Sequence, residues 1–166
     1  NLAWKIALRY ALTALSQGST LRAGRENPVA DQPVAIVTAA GRGIGAACAR
    51  ALGAKGYRLA LMSPSERSIE LARELGGIGF SGSVTEQADI DRLVAATLET
   101  YGRIDAGVNN TGYEKYSVVE GSFGAAFNWE AETDPLDVPD EYWHEALDLF
   151  LLNVVRMARA VTPIMQ

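Results

Sequence analysis

The sequence predicts an α/β fold: a Rossmann-type doubly wound parallel sheet, incomplete at about four strands, with helices on both faces. Three observations carry that prediction. Short apolar runs alternate with longer stretches of helical periodicity from Val34 onward, and stop signals stand at the joints between them. A glycine-rich turn, Gly41-Arg42-Gly43-Ile44-Gly45, lies directly between the first apolar run and the first helix. The strand–helix–strand rhythm implies right-handed crossovers and therefore parallel neighbours.

Before that rhythm begins, Trp4 to Ser16 sets Ile6, Leu8, Leu12 and Leu15 among small residues with Lys5 and Arg9 interspersed, which reads as a short amphipathic helix. Residues 17–33 turn polar and Gly/Pro-containing, as a linker does. The chain thus divides into an extension and linker over 1–32 and a nucleotide-binding domain over 33–166. The basic, acid-free leader has the composition of an organelle transit peptide; a packing or oligomer-contact extension is the other reading.

Val34 to Thr38 reads as a buried strand, Gly43 to Lys55 as a helix and Arg58 to Met62 as a second strand. Ser65 to Leu75 is a helix that Ser65 is placed to cap and Gly76 to end. Ile78 to Phe80 makes a third strand. Thr85 caps a helix running to about Tyr101, with Ile90, Leu93, Val94, Thr97 and Leu98 on one face, and Gly102 stops it. Ala106 to Asn109 is a fourth strand. After a long loop, Asp140 to Met165 reads as one helix, apolar nearly all round.

Composition bounds the function. At 166 residues, 48% hydrophobic and 21% charged, the chain holds enough apolar surface for one core. Cys48 is its single cysteine, which excludes an intrachain disulfide framework and a cysteine-rich metal site, so a cytoplasmic location is expected. Cys48 itself reads as a small core residue. His144, the one histidine, has no second histidine at ligand spacing, and no metal site is expected. A net charge of -5 argues against nucleic acid as a partner, and no apolar run is long enough to span a bilayer.

The chemistry-bearing feature is Thr38-Ala39-Ala40-Gly41-Arg42-Gly43-Ile44-Gly45. A glycine turn between strand and helix brings backbone N–H groups and the positive end of the helix dipole to a pyrophosphate. Further along stand Asn109-Asn110-Thr111-Gly112 at the end of the fourth strand, Gly102-Arg103-Ile104-Asp105 leading into it, Tyr142-Trp143, and Arg159-Ala160-Val161-Thr162-Pro163. Together these resemble the short-chain dehydrogenase/reductase family over roughly Gln32 to Gln166. The family's usual patterns are Thr-Gly-x-x-x-Gly-Ile-Gly and Asn-Asn-Ala-Gly. Ala39 therefore replaces a glycine, a small change if its φ is negative and a damaging one if it is not, and is read as tolerable. Thr111 replaces an alanine and is expected to bring a hydroxyl near the cofactor ribose.

The resemblance implies a nicotinamide dinucleotide held by Thr38 to Gly45, by Asn110, Thr111 and Gly112, and at the adenine edge by Ser83 and Val84. Ser63 stands where an NAD-preferring member carries an acid for the ribose hydroxyls. Its lack of charge removes the barrier to a 2′-phosphate, and Arg42 is placed to attract one, so NADP is favoured, with NAD possible. Against this, Arg42 is also readable as a solvated side chain, and Glu66 as a ribose ligand.

Family members transfer hydride between the nicotinamide and a carbonyl or secondary alcohol, using a Tyr-x-x-x-Lys pair and a serine. No Tyr-x-x-x-Lys occurs here, so no catalytic residue is assigned, and Ser, Tyr and Lys are expected beyond this chain. A family asparagine of the long helix aligns with Phe150; Asn153, one turn along, falls on a position that usually faces elsewhere. The unpaired edge of the fourth strand and the exposure expected for Leu147, Leu151, Val154, Val155 and Ala158 also point to a part of a longer protein. The expected function is an NADP-preferring oxidoreductase of a small-molecule carbonyl or alcohol, forming a homodimer or homotetramer. The alternative is a catalytically inactive nucleotide- or partner-binding relative. Residues 113–139, with Tyr113, Tyr116, Phe123, Phe127 and Trp129 among glycines and acids, read equally as a substrate lid or as a surface loop.

Overall fold

The computed structural model describes residues 32–111 and 140–165. The amphipathic leader, nearly all of the linker, Gly112 and the 113–139 insertion fall outside the described residues.

Four strands form one parallel sheet in the order β3-β2-β1-β4, with β1 at Val34–Thr38, β2 at Arg58–Ser63, β3 at Ile78–Ser81 and β4 at Ala106–Val108. Val34 pairs with Arg58 across one side of β1, and Ala35 with Ala106 across the other. Every residue of β1 and all but the first of β2 are buried, as strands covered on both faces must be. Successive side chains point to opposite faces. Ala35, Val37, Leu59 and Leu61 pack with Ala46 and Ala49 of α1 (Gly43–Ala54) and with Leu71 and Ala72 of α2 (Arg67–Glu74). Ile36, Ala60 and Met62 pack on the other side with α3 (Gln87–Tyr101) and with Met157, Ala160 and Val161 of the C-terminal helix. Each fully buried Ile, Leu or Met contributes about 1.5–3 kcal/mol, so two small cores share one sheet. The buried face of α3 is Ile90, Leu93, Val94, Thr97 and Leu98, the face its periodicity predicts.

The helix stops follow the glycines. Beyond α2, Gly76 has φ 69°, and the N–H groups of Gly76 and Gly77 return to the carbonyls of Arg73 and Ala72 at 3.3 and 2.8 Å. That pairing is a Schellman motif, which only a residue tolerant of positive φ closes without strain. Gly102, φ 76°, closes α3 by a 2.8 Å bond to the Leu98 carbonyl.

Two expected N-caps are corrected. Neither Ser65 nor Thr85 caps its helix, because the N-cap positions of α2 and α3 fall one residue later, at Glu66 and Glu86, without a side-chain cap bond. The hydroxyl of Ser68 instead donates to the Phe80 carbonyl at 2.7 Å, tying α2 to β3. Thr85 shares a 2.7 Å hydrogen bond with the Ser83 hydroxyl, while Asp89 reaches back from the first turn of α3 to accept the Ser83 N–H at 2.8 Å.

The single long helix expected over Asp140–Met165 is also corrected. It consists of α4 (Asp140–Leu147), a π-helical turn at Asp148–Leu152, and α5 (Asn153–Val161). Apolar periodicity does not register such a turn, because one widened turn shifts a pattern that is already apolar nearly all round. As expected, Leu147, Leu151, Val154 and Ala158 are exposed on this segment, whereas Val155 is half-buried; Trp143, Phe150 and Leu152 are exposed as well.

Candidate functional site

In open parallel sheets, ligands bind beyond the carboxyl ends of the strands. β1 and β4 end side by side here. Thr38, fully buried, donates from its hydroxyl to the Val108 carbonyl at 3.3 Å and accepts the Asn110 N–H at 3.1 Å. Asn110 Nδ2 then donates to the Ala39 carbonyl at 3.4 Å. The Thr38 position needs a side chain that both donates and accepts, and the Asn110 position one that donates; a hydroxyl and an amide supply them.

The turn that follows β1 is tight. Ala40, buried, bonds through its N–H to the Met62 carbonyl at 3.1 Å, and Gly43 has φ 54°. A Cβ on Gly45 would enter the Ala39 carbonyl oxygen and come within 2.6 Å of Asn110 Nδ2. Gly45 thus lets α1 pass flat against the end of β4. Arg42 caps α1 through extended backbone, with no side-chain cap bond. The first-turn N–H groups of Gly43, Ile44 and Gly45 have no carbonyl within the helix to bond and face outward with the positive dipole end. Ile44 stands 72% exposed beside them. Open N–H groups at the start of a helix that follows directly on a strand suit a phosphate or pyrophosphate.

Ala39 corrects an expectation. Its φ is 47°, in the left-handed region, so the replacement of glycine carries strain of about 1–2 kcal/mol. The hydrogen bonds from Asn110 and the packing of the turn hold it there.

At the end of β2, Ser63 is buried and donates to the Ser65 carbonyl at 2.9 Å. Gly41 faces this group: a Cβ there would meet Ser63 Oγ at 2.8 Å, Arg67 Cβ at 3.1 Å and Ser65 Oγ at 3.3 Å. Arg67 and Ser65 are therefore site residues that sequence reasoning missed. The available signal was a basic residue one turn past Ser63, opening a helix. Arg42 and Glu66 are exposed near this corner. At the β3 end, the Ser83 hydroxyl is hydrogen-bonded to that of Thr85, and the Val84 side chain is buried in the core. Gly112 falls outside the described residues.

Thr111 and Asn153 meet at the carboxyl end of β4, so Asn153 does not face elsewhere as expected. The Thr111 hydroxyl donates to the Leu149 carbonyl at 3.1 Å and accepts from Asn153 Nδ2 at 2.7 Å. Asn153, fully buried, faces β4 and bonds through the same nitrogen to the Leu149 carbonyl. In an unbroken α-helix, positions 150 and 153 lie about 60° apart. The π turn widens that interval, so Phe150 turns out to 45% exposure while Asn153 turns in. Because a carbonyl only accepts, the amide nitrogen must face Leu149. Asn153 Oδ1 is then a buried acceptor with no partner among the described residues.

Away from the cleft, Arg103 donates to Asp105 from both Nε and Nη2, the nearest contact being from Nη2 at 2.6 Å, and Asp105 accepts the Val34 N–H at 2.8 Å. The Arg103 hydrogen bond is the main reason the Asp105 carboxyl lies below its ordinary range, aided by the Val34 N–H and opposed by partial burial. This pair fixes the start of β1 to the start of β4.

Comparison with known proteins agrees with this geometry. A family model described as short chain dehydrogenase matches residues 33–166. A (5R,7aS)-5-hydroxy-7a-methyl-1-oxo-2,3,5,6,7,7a-hexahydro-1H-indene-carboxyl-CoA reductase of Mycobacterium tuberculosis is 33% identical over 138 residues, covering 78% of this chain and 47% of that protein. Dehydrogenase/reductase SDR family member 4 of Oryctolagus cuniculus is 31% identical over 148 residues, 86% of this chain and 51% of its own length. A crystal structure of a substituted actinorhodin polyketide ketoreductase with NADPH superposes with a TM-score of 0.64 at 28% identity, covering 79% of this chain and 46% of that one. The chain spans about half the length of the curated relatives it matches.

Proposed function

The chain belongs to the short chain dehydrogenase family, and from that premise we propose that its protein is an NADP-preferring oxidoreductase that moves hydride between the cofactor and a small-molecule carbonyl or secondary alcohol. The observation that carries the dinucleotide part is the amino terminus of α1 set directly beyond β1, with Gly43 at φ 54° and Gly45 packed against the Ala39 carbonyl and Asn110. Unpaired first-turn N–H groups at a glycine turn held this tightly suit a pyrophosphate. The nicotinamide, when bound, supplies the hydride donor or acceptor. Residues of this chain would hold the dinucleotide: the Gly43–Gly45 amides would take the pyrophosphate, and Thr38 and Asn110 fix the turn that presents them.

The NADP preference is supported by Ser63, Ser65 and Arg67 gathered about Gly41, with the exposed Arg42 next to Gly41 in the chain. A 2′-phosphate there gains charge-assisted hydrogen bonds that a ribose hydroxyl does not. The NADPH present in the similar polyketide ketoreductase structure favours the same choice. Titration of NADPH and NADH into the protein should give tighter NADPH binding, and Arg42→Ala or Arg67→Ala should reduce the difference about tenfold or more. Equal affinities in the unsubstituted protein defeat the NADP assignment; failure of both nucleotides to bind defeats the dinucleotide reading. NADPH-dependent reduction of a ketone by the full-length protein tests the activity. Localisation in the cytoplasm and assembly as a homodimer or homotetramer belong to the same proposal, the latter supported by the exposed apolar residues of α4 and the π turn.

A further inference from the structure

The π-helical turn at Asp148–Leu152 is not a packing accident of an apolar helix, because polar side chains converge on it. Opening one helical turn to the i+5 pattern frees a carbonyl from its ordinary α-helical partner. The Leu149 carbonyl is taken by two side chains, the Thr111 hydroxyl and the Asn153 amide, and those two bond each other at 2.7 Å. Asp148 and Arg156, which flank Asn153 on the helix, form an ion pair across the same turn. Thr111 follows Asn110 directly, and Asn110 is bonded to Thr38 and to the Ala39 carbonyl of the glycine turn. An unbroken run of polar contacts therefore joins the glycine turn to the π turn: Ala39, Asn110, Thr111, then Asn153 and Leu149. No other described contact of β4's carboxyl end reaches that helix through a side-chain hydroxyl.

We propose that Thr111 and Asn153 form a latch that couples dinucleotide binding at the glycine turn to the π-helical turn, with Asn153 as a positioning residue seated there in spite of Phe150 at the neighbouring position. The inference rests on the dinucleotide reading above. Thr111 anchors the residue after Asn110, and Asn110 in turn holds Ala39 in its left-handed conformation, so a loosened Thr111 lets the turn that presents the Gly43–Gly45 amides relax. Conversely, a dinucleotide that rigidifies the turn also rigidifies the Thr111–Asn153 contact and the helix it holds. The Asn153 amide is fixed through its nitrogen, which leaves its buried Oδ1 as an acceptor without a partner among the described residues.

Thr111→Val keeps shape and removes the hydroxyl; Thr111→Ser keeps the hydroxyl; Asn153→Leu removes the amide at similar volume. NADPH titration should show Thr111→Val and Asn153→Leu weakened about five- to tenfold, Thr111→Ser within about twofold of the unsubstituted protein, and the Thr111→Val/Asn153→Leu pair no weaker than either alone, since both cut one contact. Hydrogen exchange supplies a readout that a merely structural role does not move: NADPH should slow amide exchange over residues 149–153 in the unsubstituted protein and in Thr111→Ser, and leave it unchanged in Thr111→Val. Denaturant midpoints identify any variant that fails to fold, in which case the Ser variant and the ligand-dependent exchange of the unsubstituted protein decide. NADPH binding with unchanged affinity in the Val and Leu variants, additive losses in the double variant, or no slowing at 149–153 overturns the latch while leaving the dinucleotide reading intact. No binding of NADPH or NADH by the unsubstituted protein overturns both.

Discussion

Replacing Ala39 by glycine should stabilise the protein, which is the opposite of the usual effect of that substitution. Ala39 sits at φ 47°. A left-handed conformation costs an L-residue with a Cβ about 1–2 kcal/mol relative to its preferred regions. Glycine removes that cost but gives up about 0.5–1 kcal/mol, because its unfolded chain is freer. Ala39 is only partly buried, so its methyl group contributes little packing to offset the gain. The balance is a gain of about 0.5–1 kcal/mol, or roughly 1–4 °C in Tm for a domain of this size. Urea denaturation should show a higher midpoint with an unchanged slope, the signature of altered stability rather than altered compactness. Ala39→Val supplies the reverse test: a β-branched residue in the left-handed region should cost about 1–3 kcal/mol. A lower midpoint for Ala39→Gly, or an Ala39→Val protein as stable as the original, would refute the reasoning, since either result means the strain is not there.

Gly45→Ala should lower stability by about 1–3 kcal/mol through overpacking and weaken NADPH binding more than tenfold, read by titration calorimetry; the new Cβ has the Ala39 backbone carbonyl in its way as well as the Asn110 amide. Gly79→Ala should destabilise without touching cofactor affinity in the folded protein, because its Cβ would come within 2.6 Å of Ile69 Cα, on the α2 side of the sheet. Asp105 gives a pH dependence of definite sign. Its carboxyl is depressed in the folded state, chiefly by Arg103, so its stabilisation is fully present above the unfolded value of about 4 and is lost as pH falls through the lower folded value. Asp105→Asn should accordingly cost about 1–2 kcal/mol at pH 7 and progressively less below pH 4 in denaturation midpoints measured across that range; a cost independent of pH contradicts the charge-assisted bond to Arg103.

Much of this protein is written in local residue patterns, because burial on both faces of a parallel sheet demands continuous apolar strands and a glycine at a helix end demands no partner. The strands β1 to β4, the buried face of α3 and the stops at Gly76 and Gly102 were all legible for those reasons. So was the run from Thr38 to Gly45, whose glycines are explained by the collision at Gly45 and the positive φ of Gly43. The caps at Ser65 and Thr85 were not, since a hydroxyl near a helix start has competing partners and which it takes depends on the neighbouring strand or loop.

The sequence by itself determined the fold class, the family and the location of the cofactor turn, each a matter of residues adjacent in the chain or periodic along it. Only the tertiary structure decided the sign of φ at Ala39, the gathering of Ser65 and Arg67 about Gly41, and the seating of Asn153 beneath Thr111. Those depend on how the glycine turn, the β2 end and the helix after β4 approach one another. One widened turn at Asp148–Leu152 is enough to exchange an outward Phe150 for an inward Asn153, and no periodicity in an all-round apolar helix records it.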